Sequence, residues 1–520
     1  MYSRKIKTAV CLAAAMSLAA SAALAQMGRT WPSEKKIVPD PVTGLPLVFL
    51  TSTDVYRQSK IYQTHRQWTS DGKWLIFRGQ RETGSQAFAV NEETGLIVQV
   101  TETGFSGMLC AGNKTMKLYV AEGGPGGGRG PGAAPGEAGR AGRGPDQPAG
   151  APPDAQGAGG RGRGPGAPDA QGPGGRGRGA AEGAGRGPGA PDAQGPGGRG
   201  PRPPSGPKRI LEIDLARLFA DVAAGTVKPA ANYQRVCGIV PATMMFDGDM
   251  AVDANDDFLY FRIGGPETTQ LSEGLTLQPG FGPRARQSTS GLRRMNLATG
   301  EINTIVNVGF QIGHTQSNPW APGEIVFSWE TTGKAPQRTW FIKADGTGMR
   351  PMYPEAPYEW ITHEAFIGKD EVVFAMLGHR SIASATPASD WGIAGTFEHP
   401  TGVGVVNLRT REMRIVGQVP AWAPGRSDWH VAGSADGRWA ASDDFSYEVW
   451  LYDRHSGEMN RLAGPQNTGA DHIHPTFSAD STKIEIQSAL ISQDKRSLNI
   501  CIVHVPKAFL NRTYDVKVPE

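Results

Sequence analysis

The 520-residue sequence predicts an all-β chain folded as a seven-bladed β-propeller with a long disordered Gly/Arg/Pro-rich insertion. Three observations lead there. A polar turn followed by a short apolar strand returns seven times; most copies are followed, after ten to twenty residues, by another strand and a hairpin signal; and no helical domain of any size is left over. Such units cannot bury their faces without neighbours on both sides, so the copies close into a ring.

The copies are SDGKWLIF from Ser70, AGNKTMKLYV from Ala111, DANDDFLYF from Asp253, APGEIVF from Ala321, GKDEVVF from Gly368, ADGRWAA from Ala435 and ADSTKIEI from Ala479. The hairpin signals are NEETGLIVQV, NLATGEINTI, KADGTGMRPM, NLRTREMRIV and DRHSGEMNRL, each a Gly- or Asn-containing turn between apolar runs. Each copy therefore reads as a meander of about four strands. Only RILEIDLARLFADV, from Arg209, has helix-like apolar spacing, at its end.

Residues 123–207 consist of near-copies of GAPDAQGPGGRGRG, with almost nothing to bury, so the segment cannot offset its own ordering entropy. It is expected as a disordered loop between outer strands of the second blade, splitting the propeller into 26–122 and 208–520. Its ten arginines against six acidic residues give it a charge of +4, where the whole chain carries +3. The folded part is thus close to neutral, and the charge balance points to no nucleic-acid partner.

At the N-terminus, MYSRKIK is a basic n-region, TAVCLAAAMSLAASA an apolar h-region, and Ala23-Leu24-Ala25 a cleavage signal. Residues 1–25 are therefore expected to be a signal peptide, and the mature protein to be exported, periplasmic or secreted. No later apolar run approaches eighteen residues, so no membrane insertion is expected. Cys110, Cys237 and Cys501 remain after cleavage, an odd number that allows one disulfide but no disulfide scaffold. Nothing in the pattern indicates an oligomeric state.

The ten histidines carry most of the functional information. His65, His430 and His474 each lie six residues before the aspartate of their turn; His363 and His314 lie seven and eight residues before Asp370 and Pro322. Five copies thus place an imidazole at one position, the start of the innermost strand, which lines the channel. Asp247 stands at the corresponding place in the third copy. A lone histidine there most often closes a turn by a hydrogen bond, but five in phase favour a shared site. In DHIHPTFSAD, His472 and His474 are i, i+2 and face one way on an extended backbone. With His363 they are candidate ligands of a divalent metal; imidazoles without thiolates point to manganese, zinc or nickel.

With these residues the chain resembles the oligogalacturonate lyases, manganese-dependent seven-bladed propeller polysaccharide lyases. The matching segments are IGHTQSNPWAPGEIVFSWE around His314, QRTWFIKADGTGMR from Gln337, ITHEAF around His363, SDWHVAGSADGRW around His430 and HIHPTFSAD around His472. The resemblance implies metal ligands at His363, His472 and His474, and a channel histidine beside the reacting sugar at His314. The family's fourth ligand, a glutamine three residues before the H-x-H pair, falls on Gly469, which makes Gln466 the substitute. Its catalytic arginine falls within RARQSTSGLRRMNLATGE, where Arg286, Arg293 and Arg294 are available, the last two being the candidates. His65, Asp247, His430 and Arg338 are the candidate substrate-binding residues. The implied partner is an oligouronide, cleaved by β-elimination. That reaction removes the weakly acidic C5 proton once a cation neutralises the neighbouring carboxylate. The alternative is a non-catalytic binding scaffold of the periplasmic TolB type. A peptidase-type propeller is disfavoured, because no G-x-S-x-G nucleophile turn occurs.

Overall fold

The computed structural model describes residues 27–123, 206–246, 248–279, 287–330, 335–356, 359–377, 401–419, 427–466 and 471–513. Its strands form seven antiparallel sheets in chain order around a channel, the seven expected blades. Blade two, for example, runs Phe105–Ala111, Lys117–Glu122, Lys208–Asp214 and Gln234–Val240 outward from the channel. Second strands such as Glu324–Trp329 and Glu371–Leu377 are buried along nearly their whole length, as expected for sheets packed on both faces. This is why they read as continuous apolar runs rather than alternating ones.

The repeated turn has a local cause. The Asp71 carboxylate accepts from the Thr69 hydroxyl (2.6 Å) and the Lys73 N–H (3.1 Å), and Asp436 does the same for Ser434 (2.6 Å) and Arg438 (3.1 Å). Gly72 and Gly437 follow at φ 70° and 73°, where a Cβ is disfavoured. Asp480 repeats the pattern with the Ser478 hydroxyl and the Thr482 N–H.

Ring closure is the feature that the repeats did not reveal. Pro46–Phe49 and Lys36–Pro39, from the start of the described chain, complete the seventh blade. Leu47 pairs with Val503 and Phe49 with Cys501. The blade therefore joins both ends of the propeller, and opening it exposes two blade faces at once.

Other expectations are corrected in detail. The insertion joins the second and third strands of blade two, not its outer strands; Glu122 and Arg209 are register partners, so its two ends lie side by side. Cys110, Cys237 and Cys501 are all buried and free, so the allowed disulfide does not form. The helix signal becomes the strand Lys208–Asp214 followed by a helix, Leu215–Ala224, capped by Asp214 accepting from the Arg217 N–H (3.0 Å). Its Phe219 stacks on Trp74 of blade one at 4.0 Å. The signal peptide lies outside the described residues, as does the body of the insertion expected to be disordered. Among the described residues no helix is long and apolar enough to cross a membrane.

Candidate metal centre and its acid–base neighbours

The innermost strands break register where the histidines sit. Pairing shifts between Gly313 and Gln316, between Thr362 and Ala365, and between Asp428 and Val431, leaving His314, His363 and His430 in the bulges. A bulge re-aims a side chain that a regular strand would send into a neighbouring sheet. The backbone at His314, His363 and His474 is left-handed, with φ 49°, 53° and 55°. Histidine tolerates that region better than most residues, yet three cases on one channel mark a site that the surrounding structure enforces.

The imidazoles converge on His430. Its ring centre lies 4.1 Å from that of His363, 3.9 Å from His474 and 5.1 Å from His472. The His430 Nδ1 is 3.1 Å from Asp443 Oδ2, and its Nε2, buried, has no hydrogen-bond partner among the described residues. The same is true of His474 Nε2, whose Nδ1 lies 3.0 Å from the Gln487 amide nitrogen. His363 Nδ1 lies 2.8 Å from the Trp429 carbonyl oxygen, so it carries the proton and leaves the Nε2 lone pair available. Burial, followed by the charge of the neighbouring imidazoles and arginines, holds His363, His430 and His474 well below the usual imidazole range. They are therefore neutral donors at ordinary pH. One ligand atom each from His430, Asp443 and His472 fall within 4.8 Å of one another. Clustered, buried imidazoles, two of them with an Nε2 that has no hydrogen-bond partner among the described residues, and with no thiolate beside them, fit a divalent metal.

Two buried side chains, Asp443 and Lys60, hold the H-x-H segment in place. Asp443 Oδ2 accepts from the N–H groups of Ile473 (2.9 Å) and His474 (3.2 Å). The Lys60 ammonium donates to the His474 carbonyl and the Thr476 hydroxyl, both at 2.6 Å, and pairs with Glu485 at 3.4 Å. Desolvation lowers the pKa of Lys60 and pushes Glu485 up to about 7. Neither Lys60 nor Asp443 carries a repeat or motif, so sequence reasoning missed both.

His314 has a different environment. Its Nδ1 lies 3.8 Å from Glu364 and its Nε2 3.8 Å from Glu330, and both carboxylates also reach Arg338, at 3.3 and 3.4 Å. Burial and Arg338 work against a charged ring, but Glu364 and Glu330 outweigh them and raise its pKa above the ordinary value. At 3.8 Å these are ion-pair contacts rather than hydrogen bonds. The Tyr62 hydroxyl stands 3.5 Å from His314 Nε2, and its ring packs edge-on against His314 and His474, at 5.3 Å each. Tyr62 follows the first strand of blade one and gave no sequence signal.

Other candidates lie elsewhere. Arg293 and Arg294 are on the third strand of blade three, Ser290–Asn296, two strands out from the channel. Arg293 donates to Asn307 (2.9 Å) and Arg294 lies 5.0 Å over the Phe258 ring, so neither reaches the histidines. The Gln466 amide is spent away from them too: its Oε1 accepts from Ser488 (2.7 Å) and its Nε2 donates to the Gly464 carbonyl (2.9 Å). Strand count and loop path place these three residues, and neither was visible in spacing. Arg286 and Asp247 lie outside the described residues; Asp249, two positions after Asp247, is buried, its pKa pushed up to about 6 by desolvation. His65 lines a channel cavity of about 350 Å³ with Arg66, Asn113, Lys114 and Trp320, on the turn side of the innermost strands. The histidine cluster does not line that cavity.

No family model and no curated protein matches the chain. Among solved structures it is similar to an oligogalacturonate lyase in complex with manganese, at 16% identity and a TM-score of 0.59, covering 94% of this chain and 100% of that one. It is also similar to the oligogalacturonate lyase of Vibrio parahaemolyticus, at 15% identity and a TM-score of 0.59, covering 93% and 100%. At such identities the likeness shows the fold, and in fold the neighbours of this seven-bladed propeller are oligogalacturonate lyases.

Proposed function

We propose that the chain is a metal-dependent lyase cleaving oligogalacturonate or a related oligouronide by β-elimination. The observation that carries the reading is the adjacency of two unlike groups at one place: a cluster of buried imidazoles whose pKa values burial lowers and, 5.6 Å from His363 ring to ring, His314, whose pKa two neighbouring carboxylates raise. The left-handed backbone at His314, His363 and His474, and the buried Nε2 atoms of His430 and His474 without a hydrogen-bond partner among the described residues, favour this reading over a pure binding scaffold.

His363, His472 and His474 would hold the metal, manganese being the ion in one of the structural neighbours. When bound, the ion neutralises the uronate carboxylate and so acidifies C5–H. His314, whose pKa Glu364 and Glu330 raise, would donate to the oxygen leaving C4 as solvent takes the C5 proton, the C4=C5 bond forms and the C4–O bond breaks. The Tyr62 hydroxyl is the neighbour of its Nε2, at 3.5 Å. Arg338 is not free to swing, because Glu330 and Glu364 anchor it; it sets the local charge and orients a substrate anion. The signal peptide expected from residues 1–25 supports a reaction outside the cytoplasm, in the periplasm or beyond.

The test is metal analysis of purified protein, followed by an ultraviolet assay for unsaturated uronides. Metal-loaded protein that releases no unsaturated product from oligogalacturonates or other oligouronides rejects the reading.

A further inference from the structure

We infer that His430 is itself a metal ligand, in the place that the resemblance assigned to a glutamine, and that the resulting set of four imidazoles favours a borderline cation such as zinc, nickel or cobalt over manganese. This rests on the reading of a metal centre at His363, His472 and His474.

The geometry singles out His430. Among the described residues its ring is the one within 5.1 Å of all three expected ligands, at 4.1, 5.1 and 3.9 Å. Two imidazoles bound side by side to one ion, each at about 2.1 Å, set their ring centres about 5 Å apart. A metal therefore needs only a small outward adjustment of this cluster. His430 Nδ1 is committed to Asp443, which leaves Nε2 buried without a hydrogen-bond partner among the described residues.

Asp443 is better read as the carboxylate behind the ligand than as a ligand. Its Oδ1 accepts from the His430 N–H at 2.6 Å, and its Oδ2 from the N–H groups of Ile473 and His474 at 2.9 and 3.2 Å. Both oxygens are thus engaged before any ion arrives. A carboxylate on the far nitrogen of a ligating histidine fixes its tautomer and strengthens it as a donor. Gln466, the amide expected to complete the set, is bonded to Ser488 and Gly464 instead. Exchanging an amide oxygen for an imidazole nitrogen moves the set away from the oxygen-rich environment that manganese favours and toward the metals that imidazole suits.

The full chain, stripped with a chelator, is titrated separately with zinc, cobalt(II) and manganese, and X-ray absorption at the zinc edge counts imidazoles. The expected result is one zinc per chain with four imidazoles, bound at least about a hundredfold more tightly than manganese. H430A should lose tenfold or more in zinc affinity and change the cobalt spectrum, and H430Q should narrow the zinc-to-manganese ratio by tenfold or more. Three imidazoles in the wild type, or an H430A protein whose zinc affinity and cobalt spectrum match the wild type, overturns the inference. The imidazole count needs no variant, so a misfolded H430A leaves it decisive. A wild type that binds none of the three ions removes the metal centre itself, a distinct outcome.

Discussion

Blades two and five both break the register of their innermost strands, by three residues opposite one and two opposite one, and use the break differently. In blade two the register breaks between Phe105 and Leu109, and the left-handed residue inside the break is Gly107, φ 91°. In blade five it breaks between Thr362 and Ala365, and the left-handed residue is His363, φ 53°. A side chain at Gly107 would meet nothing within 4 Å, so space does not explain the glycine. The glycine spares the backbone a strain of about 1–2 kcal/mol, which blade five bears. The scaffold thus offers the same backbone device on both sides of the channel, and strain is tolerated where a side chain must point at its neighbours. The two blades differ outside the channel as well, since blade two also carries the long insertion.

The largest expected effect is on metal. Alanine at His363, His472 and His474 together should leave the protein folded with no stoichiometric ion by elemental analysis. Retention of a full equivalent would make the strained histidines of blades five and seven no more functional than Gly107. Next, H314A should keep its metal while turnover falls by about two orders of magnitude, the scale of an acid–base group, as read from steady-state rates on oligouronides. Near wild-type turnover, or loss of the ion, would take His314 out of the chemistry.

The same contrast predicts a split in pH dependence. The pKa values of His363, His430 and His474 are held low, chiefly by burial, so these rings stay unprotonated as the pH falls through about 6.5, where free imidazole titrates. Metal content should therefore be unchanged between about pH 7.5 and 6. The pKa of His314 is raised, so an activity that needs it protonated persists above 6.5 and declines as pH rises through that higher value. Metal release beginning near pH 6.5 would show the cluster to be solvated rather than desolvated.

A smaller effect isolates the backbone strain. H363N and H363V should both lose metal, but asparagine tolerates a left-handed backbone and valine does not, so thermal melts of the metal-free proteins should favour H363N by about 1 kcal/mol. Equal stabilities would mean that the strand relaxes to ordinary geometry without the imidazole. The smallest effect concerns blade two: deleting 124–205 should leave the melting temperature nearly unchanged. Its ends meet at the paired Glu122 and Arg209, and a shorter loop costs less closure entropy.

The sequence by itself determined the blade count, because the signals are local. In three of the blades the turn is built from residues two apart, Thr69 with Asp71, Ser434 with Asp436 and Ser478 with Asp480. It also determined that histidines share a channel position, because their phase to those turns is a property of one strand at a time. Only the tertiary structure decided which of them meet. His430, marked by its phase but not as the hub, Asp443 and Lys60 behind the H-x-H segment, and Tyr62 beside His314 come from separate blades, and nothing local shows that they meet. Arg294 and Gln466 show the complementary case: residue types that suit the chemistry, near a motif, lie on the third strand of blade three and in an interior loop. Convergence on a point depends on bulges that turn side chains inward and on closure by Pro46–Phe49 against Asn499–His504. Both are long-range consequences of packing seven sheets in a ring, and neither has a period in the sequence.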